Sequence, residues 1–431
     1  MNVAGAVTEA VSPIDAAAGI GRALCANAYW HEGRCNWTGR SPREAIDPGM
    51  PIVPTVTALG PELYTGTAGI ALFLAQLHAE TADDVVRRTA LGAMRQALWK
   101  SDDLSPAVSG SFYGGRVGIG YAAMRVGRLL DEADLVGQGI RLARGAVAAA
   151  DGGRLLDVIG GNAGAIAPLL WLATLPGGAA LQNPLLDLAA ELAAAATKQD
   201  GTWCWDNDRA CGKGVGQRPL CGFAHGASGM GLALIESGVR HRQRDWIDGG
   251  LAAFRYEDRL YDPERGNWPD LRDFAGRHDA PHPAKPSAYM VAWCHGAAGI
   301  GLARLRAYRL LPEHRAELQT GVERAVRCTA AHLQALPADA DASPCHGRAG
   351  LAETLLYAAS VLDDRQHADR VLQMWTGFVG SRAADAPWPC GVASGRNNPS
   401  LMLGHAGIGY ALLRATDPGK VPSMLVIEPD R

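Results

Sequence analysis

Apolar positions along this chain fall into two kinds of stretch that alternate over most of its length. One kind is apolar nearly all round, as in Ile70 to Ala75 and Ala165 to Ala173, the mark of a helix buried on every side. The other is amphipathic: Leu185, Leu186, Leu188, Ala189, Leu192, Ala193 and Ala196 share one helical stripe, while Asp187, Glu191 and Lys198 face elsewhere. The same half-buried character covers about Ile14 to Trp30, Asp83 to Trp99, Asp134 to Ala150, Arg242 to Phe254, Pro312 to Leu333 and Arg365 to Val379. Inner and outer helices therefore take turns. Strand signals are sparse, in short pieces such as Pro51 to Thr57.

The apolar helices share one opening. A Gly-x-x-Gly turn, usually preceded by an aromatic, Cys or His, occurs seven times: YTGTAGIALFLAQL from Tyr64, YGGRVGIGYAAM from Tyr113, IGGNAGAIAPLLWL from Ile159, AHGASGMGLALI from Ala224, CHGAAGIGLARL from Cys294, CHGRAGLAETLL from Cys345 and MLGHAGIGYALL from Met402. Helical hairpins repeated about every fifty residues either stack into an open solenoid or close into a ring. A solenoid needs polar caps on its terminal repeats, yet the last repeat is as apolar as the central ones. The expectation is an all-α chain, one domain over 1–431, with seven inner and seven outer helices in a closed double ring over about 14–416 and a tail at 417–431. Closure would gather the seven turns on one face. Glycine there lets backbone approach closely, and bare N–H groups with the helix dipoles favour an anion such as a thiolate or an enolate.

Composition narrows the function. The chain has 431 residues, 48% hydrophobic and 20% charged, enough to bury a large core. A formal charge of −3 and the lack of a basic stripe argue against a nucleic-acid partner. The N-terminal MNVAGAVTEAVSPID has no basic region followed by an apolar one, and no apolar run is long enough to span a bilayer, so a cytoplasmic protein without a transmembrane segment is expected. Nine cysteines, an odd number, then point to free thiols, metal ligands or catalysis and away from a disulfide framework.

Two turns carry the candidate chemistry, Trp293-Cys294-His295-Gly296 and Pro344-Cys345-His346-Gly347. Thiolate and imidazole are donors suited to Zn²⁺, and three protein ligands with one open position make a catalytic site. A closed structural site, or two buried pairs without metal, would use the same residues. The motif alone does not say which histidine would be the ligand.

The seven turns, WCHG followed by CHG, the AHG at Ala224 to Gly226, and NPSLMLGHAGIGYALLR near the end resemble the lanthionine synthetase C-like family over about Asn27 to Ala415. The resemblance implies an α,α-toroid with a central zinc that adds cysteine thiols to dehydroalanine or dehydrobutyrine in a ribosomally made peptide, leaving thioether rings. By it, Cys294, Cys345 and His346 would hold the zinc, with substrate thiol at the fourth position. His225 would protonate the enolate left by addition, Asp157 would orient that histidine or accept the substrate proton, and His295 would be a group beside the metal or a second proton handler. The position four before Cys294, often Arg in related cyclases, is Met290 here. Met290 puts any role of that arginine in doubt.

His405, one residue inside its turn, reads as structural, and Cys204, Cys211 and Cys221 match no common zinc spacing. The longest linkers, Gly201 to Gly222 and Glu257 to Tyr289, contain Trp203, Trp205, Trp268, Asp270 and Arg272, which could form a lid or peptide groove or pack over the outer helices. A glycosidase would need paired carboxylates, and among the turns Asp157 alone offers one. A zinc-containing scaffold, or a transferase adding glutathione to dehydroamino acids, would use the same ligands as a cyclase. The expected partner is a dehydrated precursor peptide. Dehydration would fall to a separate dehydratase, or to the rest of a larger synthetase.

Overall fold

Glycine opens every inner helix, whereas several outer helices open at a polar cap. The computed structural model describes residues 11–41, 55–148, 154–212, 218–272, 289–383, 386–392 and 398–429. In chain order its helices are α1 (Pro13–Ala26), α2 (Thr67–Thr81), α3 (Asp84–Trp99), α4 (Arg116–Leu129), α5 (Ala133–Ala148), α6 (Asn162–Ala173), α7 (Gln182–Ala194), α8 (Asn207–Ala210), α9 (Ala227–His241), α10 (Arg244–Asp258), α11 (Ala297–Leu310), α12 (Arg315–Ala335), α13 (Arg348–Leu362), α14 (Arg365–Gly380) and α15 (His405–Thr416).

Outer helix α1 starts at Ser12, whose hydroxyl accepts from the Asp15 N–H while the Asp15 carboxylate accepts from the Ser12 N–H, with Pro13 in the first turn. Asp83 and Asp364 cap α3 and α14 with their carboxylates. Inner helices start at Gly66, Gly115, Gly161, Gly226, Gly296, Gly347 and Gly404 with no side-chain cap. The first N–H of six of them donates to a backbone carbonyl of the turn, and that of Ala297 in α11 to a side chain of the linker before it.

Packing closes the ring. The inner helices touch in the order α2, α4, α6, α9, α11, α13, α15, and α15 returns to α2. Six inner helices pair with the outer helix that follows them: α2 with α3, α4 with α5, α6 with α7, α9 with α10, α11 with α12 and α13 with α14. The seventh, α15, pairs with α1 from the other end of the chain. All-round apolarity is what each inner position demands, because a neighbour lies on both sides and an outer helix behind. Residues 68–77 of α2 are all buried, while α3 buries one stripe and exposes the rest.

The boundaries differ in detail from the sequence pattern. The first outer helix ends at Ala26, and Trp30 lies instead in β1 (Tyr29–His31), paired antiparallel with β2 (Arg34–Asn36). β3 (Thr38–Ser41) pairs with β4 (Thr55–Ala58), and β5 (Thr197–Gln199) with β6 (Thr202–Cys204), both antiparallel. Residues 51–54 of the expected strand piece, and Ala149 and Ala150 of the expected outer helix, lie outside the described residues.

Aromatic side chains crowd the bore of the ring. Phe112, Tyr113, Tyr121, Phe223 and Trp293 pack edge to face or tilted, with successive centroids 4.8 to 5.5 Å apart. The segment after α15, expected as a tail, is a strap. Val421, Met424, Leu425 and Val426 are buried, the Tyr113 hydroxyl donates to the Met424 carbonyl at 2.8 Å, and the Trp293 indole donates to the Leu425 carbonyl at 3.1 Å. Glu428 accepts from Arg306 at 3.2 Å, Arg309 at 2.7 Å and the Tyr357 hydroxyl at 2.9 Å.

The linker tryptophans do not line a groove. Trp205 and Trp268 are fully buried, donating their indole N–H to the carbonyls of Leu192 and Glu257 at 2.9 and 3.0 Å, and Trp203 lies against α10 at Gly249. A large ring with one polar atom is better suited to pinning a linker under an outer helix than to an open face.

Candidate metal centre and proton-handling pair

Backbone hydrogen bonds stitch the turns edge to edge around the mouth. Val158 N–H donates to Ala224, Ala224 to Cys294, Cys294 to Cys345, Cys345 to Met402, Met402 to Tyr64 and Tyr64 to Tyr113, at 2.9 to 3.3 Å. The order of the turns in the chain thus becomes their order around the mouth. Cys294 and Cys345 occupy the same position in consecutive turns, so closure makes them neighbours.

Their sulphurs and one imidazole nitrogen of His346 lie within 4.8 Å of one another, the one such group of metal-ligand type among the described residues. Cys294 and Cys345 are buried and His346 is half-exposed. A hydrogen bond from Cys345 holds the Cys294 thiol well below its ordinary pKa, against burial, with His346 adding to the effect. Cys345, the donor to Cys294 and itself buried, is correspondingly raised. Burial works against a charged His346, but the hydrogen bond to Cys294 and the Asp341 carboxylate outweigh it and raise the imidazole pKa.

The far side of His346 is fixed as a ligand histidine requires. Its Nε2 lies 2.9 Å from the Gly391 carbonyl and 3.4 Å from Asp341 Oδ2, both acceptors, which places the proton on Nε2 and leaves Nδ1 free to bind metal. On the opposite flank the Tyr64 hydroxyl donates to Cys345 Sγ at 2.8 Å. Neither Tyr64 nor Asp341 is singled out by motif. Tyr64 could have been, since it stands two residues before the first glycine of its turn, as Cys294 and Cys345 do.

His225 and Asp157 come together from successive turns. The carboxylate of Asp157 is buried, accepts from the Gly160 N–H at 2.8 Å, and lies 2.5 Å from His225 Nδ1. A carboxylate accepts, so the proton sits on Nδ1, and Nε2 is the ring nitrogen that Asp157 does not engage. The His225 side chain is 29% exposed.

His295 is not part of the ligand group. It is 1% exposed, its ring lies 5.7 Å from that of His225, and neither ring nitrogen has a protein partner. Burial, with the nearby Arg272 charge, lowers its pKa to about 4, so it is neutral at physiological pH. Asp270 and Arg272 reach this side of the mouth from the long linker. Burial opposes ionisation of Asp270, but its ion pair with Arg272, 2.6 Å at the closest, holds its pKa below the usual value. Arg272 Nη2 also lies 3.0 Å from Met290 Sδ, and the guanidinium feels the charges of Cys294 and Cys345. A cation thus reaches the neighbourhood of Met290 from another part of the chain.

The remaining sequence candidates stay apart from the cluster. His405, half-buried at the first position of α15, has its pKa lowered to about 4 by desolvation. Cys204, Cys211 and Cys221 are free thiols raised chiefly by burial, and they join no metal-ligand group.

A family model described as lanthionine synthetase C-like protein matches residues 57–426. No curated protein matches the chain in sequence. Among solved structures, nisin cyclase is similar at 17% identity over 83% of this chain and 89% of its own, with a TM-score of 0.61. A family 76 glycoside hydrolase from a bovine Bacteroides thetaiotaomicron strain aligns at 10% identity over 94% of this chain and 77% of its own, with a TM-score of 0.45. A family 76 mannosidase from Bacteroides thetaiotaomicron VPI-5482 aligns at 12% identity over 94% and 96%, with a TM-score of 0.44.

Proposed function

The chain belongs to the lanthionine synthetase C-like protein family, and on that premise we propose that it closes thioether rings in a peptide, adding cysteine thiols across dehydroalanine or dehydrobutyrine. The observation that carries this reading is the meeting of Cys294, Cys345 and His346 within 4.8 Å at the mouth, beside the His225–Asp157 pair. Two sulphurs and an imidazole oriented by Gly391 and Asp341 suit Zn²⁺ with a position left for a thiol. Zinc held there would deprotonate an incoming thiol, whose ordinary pKa of about 8.5 leaves it a poor nucleophile at neutral pH.

Addition forms a C–S bond at the β carbon, moves the alkene pair toward an enolate, and ends with a proton on the α carbon. Nothing leaves. His225 would deliver that proton from Nε2, with Asp157 fixing the ring and offsetting the charge of its protonated form. His295, buried beside His225, would be a group next to the metal. The substrate would be a dehydrated precursor peptide, with dehydration supplied by a separate enzyme or region.

Incubating zinc-loaded protein with a dehydrated, cysteine-containing peptide tests the proposal. Peptide mass should stay constant while alkylatable thiols fall, and chelation should slow the loss. A peptide that keeps all its thiols would defeat the cyclase reading for that substrate. A mass gain of one added glutathione would replace it with intermolecular transfer, and tight binding without reaction with a scaffold.

A further inference from the structure

One of the seven turns is built differently, and it is the turn that carries Cys294. In the other six, the first helical N–H donates to the carbonyl seven residues back: Thr67 to Gly60, Arg116 to Ser109, Asn162 to Leu155, Ala227 to Leu220, Arg348 to Asp341 and His405 to Asn398, at 2.7 to 3.0 Å. In the fifth turn the corresponding pair is Ala297 and Met290. There the side chain of Asn267, from the long linker, stands between them. The Ala297 N–H donates to Asn267 Oδ1 at 3.0 Å, and Asn267 Nδ2 donates to the Met290 carbonyl at 2.8 Å. A neutral amide can do both at once because it carries a donor and an acceptor.

The wedge changes the backbone. The glycine before the helix has a φ between −97° and −150° in the six ordinary turns and +84° at Gly296. A Cβ at Gly296 would sit 1.8 Å from the Met290 carbonyl oxygen, so no other residue fits. The altered turn makes an antiparallel bridge between Val291 and Gly296, with the Ala292 N–H donating to the His295 carbonyl at 3.0 Å. The histidine before the glycine differs accordingly. Side chains of His225 and His346 are 29% and 34% exposed, whereas His295 is 1% exposed with both nitrogens unpartnered.

Asn267 is itself held firmly. Its Oδ1 also accepts from the Trp268 N–H at 2.8 Å, and Trp268 is fully buried with its indole bound to the Glu257 carbonyl. We propose that Asn267 is a positioning residue for the metal centre: its amide, wedged into the fifth turn, sets the backbone that presents the Cys294 sulphur to Cys345 and His346 while His295 turns inward. The proposal rests on the metal-centre reading above. Six ordinary turns in the same chain show that the unwedged geometry folds, so removing the wedge should reshape this turn without unfolding the protein.

The test compares wild type, Asn267→Ala and Asn267→Asp, with Cys294→Ala as reference. Cobalt(II) titration reads affinity and the thiolate-to-cobalt absorption band. Alkylation of metal-free protein, followed by peptide mapping, reads the reactivity of Cys294 against Cys345. In Asn267→Ala the cobalt dissociation constant should rise about 10- to 100-fold, as for other groups that orient metal ligands, and the thiolate band should fall toward that of Cys294→Ala. The ratio of Cys294 to Cys345 alkylation should shift as well, with thermal melting close to wild type. Asn267→Asp, which keeps the acceptor for Ala297 and loses the donor to Met290, should fall between. Wild-type spectrum, affinity and alkylation ratio in both variants would overturn the proposal. If wild type takes up no cobalt, the metal-centre reading fails, and the alkylation ratio alone decides on Asn267: a shift supports its positioning role and an unchanged ratio refutes it.

Discussion

His225 and His346 occupy the same position in their turns, yet their surroundings separate them. His346 faces two cysteines and has its Nε2 occupied by the Gly391 carbonyl, whereas His225 faces the Asp157 carboxylate. On the proposed function, one would bind metal and the other would move a proton. Replacing His225 with Asn should therefore slow thioether formation by about 10²- to 10⁴-fold, the usual worth of a general acid or base, while zinc content stays at the wild-type value. Metal analysis alongside a thiol-alkylation time course would check this, and loss of zinc would make His225 a ligand. Sequence pattern exposes both histidines as candidates. It cannot rank His295 against His346 as the ligand, because the two motifs are identical through Cys-His-Gly and what separates them is tertiary: Asn267 enters one turn, and Gly391 and Asp341 flank the histidine of the other.

Between elements, glycine governs how closely an inner helix meets its outer partner. In α4 and α5, a Cβ at Gly139 would lie 2.4 Å from the Gly120 carbonyl oxygen, and one at Gly120 would lie 2.6 Å from that of Gly139. The two backbones touch there. Gly145, exposed on the same helix α5, has nothing within 4 Å of its would-be Cβ. Gly139→Ala should destabilise the protein by about 1 to 3 kcal/mol through overpacking, and Gly145→Ala should stabilise it by about 0.5 to 1 kcal/mol through helix propensity. Paired denaturation curves would show opposite shifts if the helices cross as described. Helix class and approximate span are legible from periodicity, since burial on all sides and burial on one side leave different patterns. Exact ends are not, as the strand at Trp30 illustrates: Tyr29 and Trp30 continue the apolar pattern past the last helical turn, yet both are exposed on a hairpin.

At the scale of the molecule, the ring closed by α15 meeting α2 is fastened twice more, by α1 docking on α15 and by the strap at 417–428 lying across the inner helices. Arg306 is buried between Glu236, 2.6 Å away, and Glu428, and the latter also gathers Arg309 and Tyr357. Removing one member of such a buried cluster leaves charge in a low-dielectric interior. Glu428→Ala should thus cost about 3 to 5 kcal/mol, read from urea unfolding, even though Glu428 lies far in sequence from every metal-ligand candidate. A loss under about 1 kcal/mol would mean that the strap is not part of the cooperative unit.

The sequence by itself determined the all-helical class, the seven repeats, the closed ring and the two Cys-His turns, because each depends on local chemistry repeated along the chain. Burial on all sides calls for apolar residues, and a tight helix entry calls for glycine. It also supplied His225 and Asp157, though only through likeness to a family. Tertiary structure alone decided which partners those residues meet. Asn267 enters a turn some thirty residues further on, Tyr64 reaches Cys345 across the mouth, and Leu425 anchors Trp293 from the other end of the chain. Such contacts join positions with no common period, so nothing in the spacing of residues along the chain encodes them; they exist only because closing the ring brings its first, fifth and last segments to one place.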